Sequence, residues 1–161
     1  MIVVVMGVSG CGKSTVGRAL AEAKGWRFID ADDFHPAENI RKMSNGIPLN
    51  DDDRRPWLLR LHEVLAVAEA EGQSLVLACS ALKQAYRQIL TDGLSDVRFV
   101  HLHGTPDEVM TLLSRRSGHF MKPGMLDSQF ATLEVPEHAL TIPVLLTCDE
   151  QVSRIRAALG D

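Results

Sequence analysis

Eight residues near the start of the chain decide its fold: Gly7-Val8-Ser9-Gly10-Cys11-Gly12-Lys13-Ser14. They match the pattern G-x-x-x-x-G-K-[ST], in which glycines let the backbone curl until its N–H groups converge on one anion. A short run of β-branched residues precedes them, and residues 15–24, closed by Gly25, have the pattern of a helix. This strand, loop and helix predict a nucleoside triphosphate site, with Lys13 at the β- and γ-phosphates and the Ser14 hydroxyl on Mg²⁺.

Length and composition indicate one domain over residues 1–161. With 45% hydrophobic and 24% charged residues, the chain is typical of globular proteins and shows no run long enough to span a membrane. A net charge of −4 is unfavourable for general binding of nucleic acid. The first apolar run is too short for a signal peptide and the cysteines lack paired spacing, so we expect a cytoplasmic protein without a disulfide framework.

Apolar, strand-like runs alternate with helical patterns along the chain. Such alternation predicts a parallel sheet with helices on both faces, the three-layer α/β architecture of the P-loop NTPase fold. The five expected strands cover residues 2–6, 26–29, 74–79, 97–102 and 142–147.

Capping chemistry predicts where several helices begin. Ser80 is expected to cap a helix over residues 81–90, and an acidic run is expected to start another with Pro56 in its first turn. Thr105-Pro106-Asp107-Glu108 predicts a capping box. Two further helices are expected over residues 128–133 and 150–159.

Residues 117–127 interrupt the alternation. They contain Gly118, Pro123 and Gly124, which disfavour a regular element, but also the large apolar side chains Phe120 and Met121. We therefore expect a mobile lid over approximately these residues, which closes over the site and excludes water.

The acidic residues indicate a class of phosphate-loop protein. Motor and signalling members usually end a central strand with an aspartate for Mg²⁺, whereas the third predicted strand here ends in Cys79 and Ser80. Asp30 and Asp32 follow the second strand instead, and ligands of open α/β sheets lie beyond the carboxyl ends of strands. Together with the short chain and the expected lid, this predicts a small-molecule kinase.

More specific motifs run from residue 6 to about residue 136. They are the phosphate loop, Asp30-Ala31-Asp32 with His35-Pro36, Gly46-Ile47-Pro48-Leu49-Asn50-Asp51-Asp52-Asp53-Arg54 with Pro56-Trp57-Leu58, Cys79-Ser80-Ala81-Leu82-Lys83 with Tyr86-Arg87, and Gly118-His119-Phe120-Met121 with Gln129-Phe130. On these motifs the chain resembles the gluconokinase family, of the shikimate-kinase-like type. The resemblance implies ATP-dependent phosphorylation of D-gluconate at its 6-hydroxyl group, and it suggests a homodimer.

The resemblance also implies roles at the phosphate loop and the acidic motif. Asp32 is expected to hold and deprotonate the acceptor hydroxyl, the alternative being a cap at the strand end. Asp30 is expected to support Mg²⁺ with Ser14, directly or through water, with capping as an equal alternative. The residues expected to bind ATP are Gly7, Val8, Ser9, Gly10, Cys11, Gly12, Lys13, Ser14 and Thr15.

Further residues are implied at the acceptor and at the transferred phosphoryl group. Arg115 or Arg116 is expected to stabilise that group or to stack on adenine, completing a catalytic set with Lys13 and Asp32. The substrate carboxylate needs cations, and Arg54, Lys83 and Arg87 are the nearest by motif, although Arg87 lies on a predicted helix face that could simply be solvated. The implied substrate residues are Asp32, His35, Asn39, Lys42, Arg54, Ser80, Lys83, Arg87 and His119.

Two other functions stay open. The chain could phosphorylate another small hydroxy acid such as shikimate, or it could be an ATP-binding sensor that keeps the loop without turnover. His101 and His103 share a strand face but lack a third metal ligand, and Trp57 is expected to pack in the core.

Overall fold

A computed structural model describes residues 1–115 and 123–161, with the side chains of all of these except Pro123 and Gly124. Arg116, His119 and most of the expected lid lie outside the described residues.

The strands form one parallel sheet in the order β2-β3-β1-β4-β5. The central strand is buried at all five positions because helices cover both faces of the sheet. The strands are β1 (Ile2–Met6), β2 (Arg27–Asp30), β3 (Leu75–Ala78), β4 (Val97–His103) and β5 (Leu140–Pro143). The prediction of a five-stranded parallel sheet is confirmed.

The last strand lies earlier in the chain than the predicted residues 142–147. β5 pairs with β4 from Val100–Leu140 to His103–Pro143 and does not extend to residue 147. Its ladder stops where β4 itself stops, because an edge strand has no other neighbour to pair with.

The described residues form seven α-helices, and six of them pack on the sheet. Helices α1, α5, α6 and α7 pack on the face that carries Val3 and Val5, whereas α3 and α4 pack on the face that carries Ile2 and Val4. The helices are α1 (Lys13–Lys24), α2 (Ala37–Ser44), α3 (Asp51–Ala70), α4 (Gln84–Thr91), α5 (Pro106–Ser114), α6 (Pro123–Thr132) and α7 (Cys148–Leu159). Across the described part of the chain, none of them has the length and apolarity needed to cross a membrane.

Two helix starts differ from the prediction. Helix α3 begins at Asp51, capped by Asn50 in a capping box with Asp53, so Pro56 lies in its second turn. Helix α4 begins at Gln84 with Lys83 at its N-cap, because the left-handed backbone of Ala81 (φ 45°) keeps the preceding residues non-helical. Ser80 therefore does not cap this helix.

The other predicted helices need smaller changes. The capping box of Thr105 and Glu108 is present at the start of α5. Helix α6 begins at Pro123 rather than near residue 128, so it takes in part of the expected lid. Helix α7 begins at Cys148, where the hydroxyl of Thr147 accepts from the Glu150 N–H.

Candidate active site

The carboxyl ends of β1, β2 and β3 place three polar segments at one edge of the sheet. The phosphate loop follows β1, a 3-10 turn over Ala31–Phe34 follows β2, and Cys79 to Lys83 follow β3. The Gly7 N–H donates to the Ser80 carbonyl over 3.4 Å, so the first and third segments are in direct contact. This edge is where an open parallel sheet binds its ligand.

The phosphate loop has the conformation that its glycines permit. Gly10 (φ 82°) and Gly12 (φ 97°) are left-handed, and Gly12 stands at the N-cap of α1. A Cβ atom on Gly10 would lie 2.5 Å from Leu113 Cδ2, so no larger residue fits there. Lys13 Nζ donates to the Val8 carbonyl over 3.0 Å. The start of α1 thus presents backbone N–H groups and a lysine to one space, as an anion site requires.

Ser14 and Asp30 form the contact on which the metal prediction depends. Ser14 Oγ donates to Asp30 Oδ2 over 2.8 Å, and Asp30 Oδ1 accepts from the Asp32 N–H over 3.0 Å. Asp30 therefore caps the 3-10 turn and faces the first turn of α1 with its other oxygen. A hydroxyl and a carboxylate oxygen beside a phosphate loop are the kind of donors that Mg²⁺ prefers, so these residues fit a magnesium ion.

Asp32 extends from the 3-10 turn into the open cleft. Its side chain is 86% exposed, but the walls of the cleft reduce its hydration and raise the pKa of the carboxyl group, with a further increase from the charge of Asp30. The Lys13 ammonium group, and the His35 ring when it is protonated, lower the pKa of this carboxyl group in turn. An exposed carboxylate between a lysine and an acid is suited to accept a proton from an incoming hydroxyl group.

His35 is held in a fixed orientation behind Asp32. Its ring stacks on Trp57 with centroids 4.3 Å apart, and the indole Nε1 donates to the Ala31 carbonyl over 2.7 Å. Asn39 Nδ2 lies 3.2 Å from His35 Nδ1 and donates to the Asp53 carbonyl over 2.9 Å.

Burial and these contacts define the charge and the tautomer of His35. Burial lowers the pKa of its ring, so the ring is neutral, and the Asn39 donor makes Nδ1 the acceptor. The ring proton then lies on Nε2, which faces Asp32 Oδ1 at 3.9 Å. Trp57 is in the core as predicted, and its contact with His35 is a role that the sequence analysis missed.

The expected substrate cations lie around the first turn of α3. Lys42 Nζ forms an ion pair of 2.8 Å with Asp53, and Lys83 Nζ lies 3.3 Å from Asp51. Arg54 Nη1 donates to the hydroxyl of Tyr86 over 3.0 Å. That hydroxyl in turn donates a short hydrogen bond to Asp51.

Arg54 and Lys83 line a shared cavity. It has a volume of about 490 Å³ and is bordered by Asn50, Asp51 and Asp52 as well. The pKa of Asp51 is lowered by its bonds to Tyr86 and Lys83, so the acid stays ionised there. Arg54 and Lys83 thus lie at one cavity, where Lys83 is paired with Asp51 and Arg54 with the Tyr86 hydroxyl.

Arg87 is the site residue whose position argues against its expected role. Arg87 is buried, with 5% of its surface exposed. Its guanidinium group donates to the Ala81 carbonyl over 2.7 Å and to the Glu134 carbonyl over 2.9 Å. It joins the loop after β3 to the segment after α6. We therefore assign Arg87 a structural role in place of contact with the substrate carboxylate, and the helix face it occupies is not solvated.

The remaining predicted residues are only partly placed by the structure. Thr15 is exposed in the first turn of α1, and Arg115 is exposed at the C-cap of α5, two residues after the Leu113 that packs on Gly10.

His101 is buried and His103 is exposed, and no group of three metal-ligating side chains occurs within residues 1–115 and 123–161.

Comparison with known proteins relates the chain to characterised sequences. The family model described as Shikimate kinase matches residues 9–135. A probable gluconokinase of Xenopus tropicalis is 52% identical over 151 residues, which cover 84% of this chain and 80% of the relative. The solved structure of a gluconokinase from Sinorhizobium meliloti 1021 is 45% identical, with a TM-score of 0.90 over 98% of this chain and 90% of that chain.

Shikimate kinases are more distant. The solved structure from Bacteroides thetaiotaomicron is 17% identical, with a TM-score of 0.66 over 100% of this chain and 99% of that chain. This likeness shows a shared fold alone.

Proposed function

The chain belongs to the gluconokinase family, and from this premise we propose that it transfers the γ-phosphoryl group of ATP to the 6-hydroxyl group of D-gluconate. The products are 6-phosphogluconate and ADP. The observation that supports this best is the position of Asp30 and Asp32 across from the phosphate loop, with Ser14 and Asp30 joined by a bond of 2.8 Å.

The chain's own groups account for the two halves of the transfer. Lys13 and the N–H groups at the start of α1 neutralise the phosphate charge, while the Asp32 carboxylate holds the acceptor hydroxyl and takes its proton. Ser14 and Asp30 would hold Mg²⁺, which supplies further charge neutralisation when it is bound. Arg115 and Arg116 are proposed to stabilise the transferring phosphoryl group or to stack on adenine.

Gluconate is proposed to lie between the 3-10 turn and the start of α3. His35 and Lys42 border its hydroxyl groups, whereas Asn39, buried and bonded to His35 and to the Asp53 carbonyl, orients His35 in place of the expected contact with the substrate. Arg54 and Lys83 bind the carboxylate. Because Lys83 is paired with Asp51 and Arg54 donates to the Tyr86 hydroxyl, the substrate carboxylate would compete with these partners for the two cations. Ser80 and His119 are kept in the proposed substrate site.

We further propose that the metal is magnesium, that the compartment is the cytoplasm and that the protein assembles as a homodimer. The dependence of turnover on Mg²⁺ tests the metal, and the mass measured by light scattering tests the assembly.

The deciding experiment is an assay of ADP release with gluconate and shikimate tested side by side. We expect turnover with gluconate, formation of 6-phosphogluconate and no turnover with shikimate above the rate of ATP hydrolysis. Lys13→Ala should abolish turnover, because the phosphate charge is then left uncompensated. Activity on shikimate alone would overturn the proposal, and tight ATP binding without turnover on either acid would favour the sensor alternative.

A further inference from the structure

Gln129 of α6 contacts the phosphate loop through two hydrogen bonds. The Ser9 N–H donates to Gln129 Oε1 over 2.6 Å, and Gln129 Nε2 donates to Ser9 Oγ over 2.7 Å. One carboxamide thus satisfies a donor and an acceptor of the same loop residue. Because the two bonds are not interchangeable, the pair fixes both the position and the orientation of Ser9.

The helix that carries Gln129 is itself fixed by packing. Leu126, one turn earlier in α6, is 2% exposed and belongs to the same apolar cluster as Val8, Cys11 and Leu113. Phe130 packs against that cluster from the next position. The carboxamide is therefore presented to the loop by a packed element rather than by a free surface side chain.

The neighbouring loop residue is held from another side. Gly10 is left-handed and packs so closely on Leu113 of α5 that a Cβ atom would overlap it. Ser9 and Gly10 are thus held by a polar contact from α6 and an apolar contact from α5. Their conformation sets the direction of the chain that leads to Lys13 and Ser14.

We propose that Gln129 is a positioning residue for nucleotide binding, which holds Ser9 so that the following N–H groups of the loop converge on the phosphates. Gln129 lies on a packed helix and bonds to both polar groups of Ser9, which argues for a fixed part of the site. The inference rests on the proposed nucleotide site and does not depend on which acid accepts the phosphoryl group.

The test compares Gln129→Met with the native chain in calorimetric titrations with MgATP, without gluconate. Methionine keeps the length and helix propensity of the side chain but makes neither bond. We expect a Kd for ATP at least about tenfold higher, the effect of losing two hydrogen bonds, and a KM for gluconate within about twofold of native at saturating ATP. Gln88→Met, the same change at an exposed position of α4, should leave the Kd for ATP within about twofold of native.

A second comparison tests the pairing itself. Ser9→Ala already removes the hydroxyl partner, so Gln129→Met should weaken ATP binding less in that background than in the native chain. The inference would be overturned if the two substitutions changed the Kd for ATP independently. It would also be overturned if Gln129→Met left the Kd for ATP unaltered or lowered it. The last outcome would mean that the carboxamide competes with phosphate.

Gln129→Ala keeps the inference testable if Gln129→Met does not fold. Alanine keeps the helix propensity of α6 and makes neither bond to Ser9. We expect a Kd for ATP raised at least about tenfold, whereas a native Kd would overturn the inference. A protein that binds ATP in this Gln129-dependent way without phosphorylating gluconate would contradict the proposed function alone.

Discussion

Ser14 Oγ donates a hydrogen bond of 2.8 Å to Asp30 Oδ2, and this bond joins the first turn of α1 to the end of β2. Ser14 follows the phosphate loop after β1 and Asp30 is the last residue of β2, and parallel strands bring both to the same edge of the sheet. The bond thus places an acid from the end of β2 beside the phosphate loop. The proposed metal site, general base and acceptor site are all arranged around this contact.

Asp30→Asn should raise the Mg²⁺ concentration for half-maximal activity by about tenfold or more. The amide oxygen can still accept from the Asp32 N–H, and the amide nitrogen can donate to the Ser14 hydroxyl oxygen, so the change removes the charge but keeps both contacts. Initial rates over a magnesium titration measure the effect. Asp33→Asn, which neutralises an exposed acid of the same turn, is the matched control, and equal shifts in the two variants would remove Asp30 from the metal site.

Asp32→Asn should lower kcat by about 10²- to 10⁴-fold while the Kd for ATP stays close to native, because a general base contributes about that much to proton transfer. Stopped assays and nucleotide titration separate the two quantities. An unchanged kcat would assign the acceptor hydroxyl to another group.

The pH dependence of activity gives an independent test of Asp32. Reduced hydration between the cleft walls and the charge of Asp30 raise the pKa of its carboxyl group, and a base acts only when it is ionised. Activity should therefore fall as the pH decreases, with the acidic limb of kcat/KM centred above the pKa of an ordinary aspartate, about 3.9. A limb at or below that value would contradict the assignment.

Arg87→Met should lower the free energy of unfolding by about 2–4 kcal/mol, because it leaves the carbonyl groups of Ala81 and Glu134 without their buried donor. Urea unfolding measures this loss, with Arg154→Met at an exposed position of α7 as the control. In the folded variant the KM for gluconate should change by less than about threefold, whereas Arg54→Met should raise it by about tenfold or more. The reverse pattern would restore Arg87 to the substrate site.

His101 should make the fold less stable in acid. Burial, with smaller contributions from His103 and Arg87, lowers the pKa of its ring to about 4. Below about pH 6.5 the unfolded chain binds a proton that the folded chain excludes. The free energy of unfolding should therefore fall by an amount of order 3 kcal/mol as the pH falls from about 6.5 towards 4.

Urea unfolding at a series of pH values measures this effect. His101→Gln should flatten the dependence in that window, and His103→Gln at the exposed neighbour should not. Parallel curves for His101→Gln and the native chain would contradict the prediction.

Features that depend on adjacent residues could be predicted before the structure. The phosphate loop is one example, because its glycines, lysine and serine follow each other between a strand and a helix. The placement of Asp30 and Asp32 at the same edge followed from the rule that parallel strands end together, and the structure agrees. The start of α4 could not be read in this way, since the left-handed Ala81 has no sequence signal comparable to glycine.

The sequence by itself determined the parallel sheet, the anion-binding loop after its first strand and the acids after its second, because each is encoded by local pattern and by the direction in which strands run. Only the tertiary structure decided that Gln129 meets Ser9 across 120 positions, that Arg87 donates to Glu134 across 47, and that Trp57 supports His35. A local pattern gives the buried face of each helix, but the side chain it meets there depends on how the rest of the chain packs. The groups that bind phosphate could thus be named from the sequence, whereas the groups that hold them in place could not.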